Sequence, residues 1–151
     1  MQIIKDRHLI EDAWQFPADG EPLPAGDIAV SIARWQQEKT QLLNRTAKLG
    51  IVIEPADTLA DIAGDLPHFA LAAINFPAFT DGRGFSHARL LRDQYGYTGE
   101  IRAIGQFMVD QVFYLSQTGF DSFCLAKPAD LPAALLSLND FTVSYQNSIF
   151  S

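Results

Sequence analysis

The sequence predicts an α/β protein, a single domain whose mostly parallel sheet is covered by helices. An open, doubly wound sheet is the preferred architecture and a partial β/α barrel the alternative. Three observations lead there. From Asp27 onward, short apolar segments alternate with longer helical ones, the signature of βα units. The apolar segments are hydrophobic almost throughout, as strands covered on both faces require. Gly50, Gly96 and Gly119 each fall between a helical and an extended segment, where a left-handed residue ends a helix at no cost to glycine.

The elements follow in order. Ile3 and Ile4, the polar Lys5-Asp-Arg-His8 and the apolar return from Leu9 to Phe16 read as a hairpin. Pro17 to Gly26 is dense in Pro and Gly and reads as a loop. Residues 1–26 therefore form an N-terminal hairpin arm and loop, and 27–151 the single α/β domain. Strands are expected at Ile28–Ala33, Ile51–Ile53, Phe69–Phe76, Glu100–Ile104 and Ser122–Ala126, with a sixth at Phe141–Tyr145. Helices are expected at Trp35–Leu49, Asp57–Gly64, Ser86–Tyr95, Phe107–Thr118 and Leu131–Leu138. Two related turns, Glu54-Pro-Ala-Asp57 and Lys127-Pro-Ala-Asp130, each follow a strand, and Asp57 and Asp130 are candidate helix caps. Crossovers should be right-handed.

Composition narrows the function. The chain has 151 residues, 48% hydrophobic and 19% charged, enough to bury roughly 70% of its unfolded surface. Its net charge of −7 argues against nonspecific binding to nucleic acid or anionic lipid. One cysteine, Cys124, excludes an intrachain disulfide and a Cys-rich metal or iron–sulfur site. The start mixes charges too early for a signal peptide. The most apolar stretch, Phe69–Phe79, is shorter than the roughly 20 residues of a membrane span. A cytoplasmic protein is expected, with Cys124 reduced.

Parallel sheets carry function at the C-terminal ends of their strands. There lies Thr80-Asp-Gly-Arg-Gly-Phe-Ser-His-Ala-Arg89, after the third domain strand and at the start of a helix. Asp81, Gly82, Arg83, Gly84, Ser86, Arg89 and Arg102 are the candidate anion- or partner-binding residues. Ser86 is a candidate N-cap, free helix-start N–H groups attract anions, and Arg83 could offer a bidentate fork. Four of the seven arginines lie between Arg83 and Arg102 in an acidic chain. The alternative is structural. The glycines shape a turn, Arg89 pairs with Asp93, Arg92 points to solvent, and Arg102 flanks a strand end. The glycine spacing matches neither the dinucleotide fingerprint nor Walker A.

Other chemistry is weaker. Gly84-Phe-Ser-His-Ala88 is a degenerate nucleophile elbow, but it does not directly follow a strand, and no histidine lies downstream of His87. The histidines have no metal-ligand spacing, and no metal or cofactor is expected. Asp110 and Gln111, in an aromatic helix, form a second-tier candidate pair, with a structural role favoured. Phe113, Tyr114, Phe120 and Phe123 read as core rather than a flavin site, and Cys124 as a small core residue. Trp14 and Trp35 either pin the arm to the sheet or form an exposed interface.

Taken together, Asp81-Gly-Arg-Gly-Phe-Ser-His-Ala-Arg-Leu-Leu-Arg92, Gly96-Tyr-Thr-Gly-Glu-Ile-Arg-Ala-Ile-Gly105, Asp110-Gln111 and Gly119-Phe-Asp-Ser-Phe123 resemble the bacterial DUF934 family. The resemblance runs from about Ile28 to Ala126. The family has no established function. Its association with assimilatory sulfite reduction comes from gene neighbourhood. The resemblance implies an accessory protein that binds a sulfite reductase, its electron donor or a sulfur oxyanion. The alternatives are an enzyme taking a phosphorylated or sulfonated metabolite at the Gly82-Arg83-Gly84 loop, and a flavin-binding redox subunit. Many relatives carry a cysteine where this chain has Thr118, so a mechanism built on that thiol does not transfer here.

Overall fold

The computed structural model describes residues 1–139; the strand expected at 141–145 lies outside them. A hairpin of β1 (Gln2–Lys5) and β2 (His8–Glu11) opens the chain. Its two-residue turn places Asp6 and Arg7 at φ 50° and 68°, as the tight hairpins compatible with strand twist require. The βα units follow. Strand β3 (Ile28–Ser31) leads into α1 (Ile32–Gln37) and α2 (Lys39–Leu43). Strand β4 (Leu49–Ile53) leads into a 3₁₀ segment, Leu59–His68. Strand β5 (Leu71–Phe76) precedes α3 (Arg83–Arg89), which runs on as a π turn, Leu90–Gln94. Strand β6 (Glu100–Gly105) precedes α4 (Val112–Gln117), and β7 (Ser122–Leu125) precedes α5, residues 131–139.

The sheet has seven strands in the order β2-β1-β7-β6-β5-β4-β3. Strands β3 to β7 are parallel, and β1 pairs antiparallel with β7. The α/β class and the open, mostly parallel sheet are as expected. The winding is not double: β3 to β7 sit side by side in chain order, with no reversal and hence no topological switch point. One core results. Ile28, Val30, Ile51, Ile53, Ile74 and Ile101 project from one face of the sheet and pack with Trp35, Leu42, Ile62, Leu91 and Leu115.

The opposite face is held by the N-terminal segment. Gln15 lies four residues after Glu11 yet bridges to Ile28, on the far edge strand. Four residues plus one strand spacing reach about 19 Å, whereas a flat sheet would hold β2 and β3 about 29 Å apart. The sheet is therefore strongly curled, and residues 12–15 cross between its two edges without closing a barrel. Arg102 projects into this concave side. Its guanidinium is 1% exposed and binds Asp12 bidentately at 2.8 and 3.0 Å, Glu100 at 2.8 Å and the Ser122 hydroxyl at 3.1 Å.

Several local expectations are corrected. Gly50 does not end a helix; it lies inside β4, where an added Cβ would stand 3.0–3.1 Å from Leu71 and Ala29 of the neighbouring strands. Gly96 and Gly119 do follow their helical segments at φ 63° and 110°. The helix expected from Trp35 starts earlier, because the Ser31 hydroxyl accepts the Arg34 N–H, and it divides at Glu38. Asp57 turns back to accept the Glu54 N–H at 2.7 Å instead of capping the next helix. Trp35 pins no arm: it is fully buried, donating to Asp65 at 3.0 Å and packing edge-on to Phe69. No helix of the described residues is long and apolar enough to cross a membrane.

Candidate functional site

The C-terminal strand ends carry four connections: residues 54–58, 77–82, 106–111 and 126–130. The 77–82 loop carries Asp81, whose carboxylate takes three donors from Arg83. The backbone N–H and Nε donate to Oδ1, both at 3.1 Å, and Nη2 donates to Oδ2 at 2.9 Å. These donors, led by the side-chain bond, hold the Asp81 carboxyl below its ordinary range. Arg83 itself stays on the surface.

The other candidates separate around this pair. Gly82 is exposed at φ −82°, with open space where a Cβ would stand. Gly84 is buried for packing, since a Cβ there would meet two ring carbons of Phe76 at 2.6 Å. Ser86 is exposed within α3, whose N-cap position is Gly82, so it caps nothing. Arg89 is exposed, and no ion pair joins it to Asp93 among the described residues. Arg92 does not point to solvent: it donates to the carbonyls of Tyr97 and Gly99 at 2.8 Å and pairs with Asp121 at 2.6 Å. Arg102 is buried toward the N-terminal half of β6, engaged with Asp12 and Glu100. The structure thus brings Asp81 and Arg83 together and places Arg102 elsewhere.

His87 is the residue the sequence undervalued. It is buried, and its Nε2 lies 3.2 Å from the carbonyls of both Glu54 and Pro55. Both neighbours are acceptors, so Nε2 carries the hydrogen. The ring therefore ties α3 to the exit of β4, and its buried Nδ1 makes no hydrogen bond to Ser86 or to any other described residue. Only its spacing beside the glycines hinted at this, because the carbonyls it meets lie more than thirty residues upstream.

Gln111 has the structural role expected of it. Its Oε1 accepts the Met108 N–H at 2.8 Å, and its Nε2 donates to the Phe79 carbonyl at 3.2 Å. Two neighbouring loops are thereby fixed together. Asp110 is exposed beside them. Phe120 and Phe123 belong to the core, but Tyr114 does not: it is 56% exposed and lies 5.1 Å, ring to ring, from Phe85. Phe85 packs on Phe76, Phe76 on Phe107, and Phe107 on Phe123. An aromatic chain so runs from the surface into the core. Phe79 and Met108 are 53% and 46% exposed at the same end of the sheet. Cys124 is partly covered, with the Met1 sulfur 3.8 Å away, and burial pushes its thiol up, away from the reactive thiolate.

The fold and this rim define an open, singly wound α/β protein with an apolar, arginine-bearing edge at the C-terminal strand ends. A family model described as "Bacterial protein of unknown function (DUF934)" matches residues 50–151, and the chain belongs to that family. No curated protein matches it.

Proposed function

We propose that the protein is a cytoplasmic accessory component of assimilatory sulfite reduction, docking the sulfite reductase or its electron donor through the rim of Phe79, Arg83 and Tyr114. One observation carries the docking role: Phe79, Met108 and Tyr114 are about half exposed at one end of the sheet, whereas most other large apolar side chains of the described residues are covered. Clustered exposed aromatics mark contact surfaces, and Arg83 offers a charged edge beside them. The choice of partner rests on the family resemblance. A low-salt affinity pull-down from the native cell, with mass spectrometry, tests it. The wild-type chain should recover the reductase or its donor, and a Phe79→Ser/Tyr114→Ser variant of unchanged melting temperature should not. Equal recovery by both, or recovery of neither partner by the wild type, refutes the assignment.

The convergence of three Arg83 donors on one carboxylate favours a second reading, that of a small-oxyanion site. Asp81 fills the positions that sulfite, sulfate or phosphate would take. Asp81→Asn should then show saturable calorimetric binding of one of these ions where the wild type shows little. No binding by either chain eliminates the oxyanion site.

A further inference from the structure

The rim also borders a cleft of about 280 Å³ at the ends of β6 and β7. Its floor is apolar, with Phe107 held by its ring contacts to Phe76 and Phe123. Phe79 and Met108 form the lips, and Gln111 fixes both through the two hydrogen bonds described above. The backbone at both lips is therefore held before anything binds, which lowers the cost of ordering the loops around an occupant. Three charged residues also line it: Asp110 from the loop after β6, and Lys127 and Asp130 from the single turn after β7. Among the described residues, none of these three charged groups has a side-chain partner.

We propose that this cleft binds a small zwitterion with an apolar body, of the class of a free amino acid with an aromatic or branched side chain. The body covers Phe107, Phe79 and Met108. The carboxylate faces Lys127, and the ammonium faces Asp110 and Asp130. A site just under the roughly 300–1,000 Å³ of drug-sized ligand pockets suits one ring or one branched chain and is too small for a flavin or a dinucleotide. This inference goes beyond the docking role and does not depend on it, since the isolated chain is sufficient for its test.

The experiment is an amide-shift NMR titration of the full chain with L-phenylalanine, 3-phenylpropionate and phenethylamine. Phenylalanine should give saturable shifts at Met108, Asp110 and Lys127. Each single-charge analogue should bind about tenfold more weakly, the usual effect of removing one charged contact. Lys127→Ala, an exposed site, should bring phenylalanine down to the level of phenethylamine. Shifts that do not saturate at millimolar concentrations, equal binding of all three compounds, or saturable shifts confined to residues outside the cleft would each overturn the proposal.

Discussion

Replacing Arg102 with methionine removes one charge and keeps most of the side-chain volume. The consequences follow from what faces it. Asp12 accepts two hydrogen bonds from the guanidinium and Glu100 accepts two more. The side chains of both acids are nearly covered, at 8% and 12% exposure. Without Arg102 they become buried carboxylates without their main counter-charge. Breaking such a network costs about 3–5 kcal/mol. Glu100 keeps the Ser122 hydroxyl at 2.6 Å and the Lys5 ammonium at 3.1 Å, so the lower end, about 3 kcal/mol, applies. At roughly 2–4 °C per kcal/mol for a chain of this size, Arg102→Met should melt about 6–12 °C lower. The loss should be uneven in space. Hydrogen exchange should quicken first at Gln15 and Ala29, whose amides join the crossing segment to β3. The double variant Asp12→Leu/Arg102→Met should recover part of the loss, because it no longer buries an unpaired Asp12. A single variant melting within about 2 °C of wild type, less than one kcal/mol, would refute the view that this network holds the crossing segment.

Two further outcomes follow from particular contacts. Gly84→Ala should lower stability by about 1–2 kcal/mol in chemical denaturation, because overpacking against Phe76 exceeds the roughly 1 kcal/mol gained in helix propensity; Gly82→Ala, in open space, should be neutral or mildly stabilising. Burial opposes ionisation of Glu100, but the Ser122 hydroxyl and Arg102 outweigh it and hold its carboxyl below the ordinary range. A carboxyl depressed on folding adds stability above its unfolded pKa, near 4.3, and loses that stability as pH falls through the folded value. Wild type should therefore lose melting temperature below about pH 4.3 more steeply than Glu100→Gln, and superimposable profiles would remove Glu100 as the source.

The apolar runs made the parallel strands legible, and Gly96 and Gly119 made two helix ends legible, because both signals are local. What escaped was set by distant residues. Gly50 looks like a helix stop in the sequence; it is a glycine because Ala29 and Leu71 close in from both sides. Strand order is invisible to periodicity, so single and double winding read alike. Arg102, by sequence a candidate anion- or partner-binding residue, is buried instead, and its main acceptor, Asp12, is out of sight ninety residues away. At the candidate site, Asp81 and Arg83 are legible through their place after the third domain strand, whereas their mutual ion pair is not. Nor is the exposure of Tyr114, since one aromatic residue in an aromatic helix gives no sign of which way it faces.

The curled sheet bears on what counts as this family's unit of folding. The family match begins at residue 50, which excludes β1, β2, β3 and the segment that crosses between the edges. Yet β7, inside the match, takes β1 as its neighbour, β4 takes β3, and the buried cation of β6 takes Asp12. A fragment cut at the match boundary would expose two raw strand edges and leave a charge without its partner. The recognisable region and the stable region are therefore different stretches of chain. In this chain the residues before the match supply both edge strands of the sheet and the acid that pairs with Arg102.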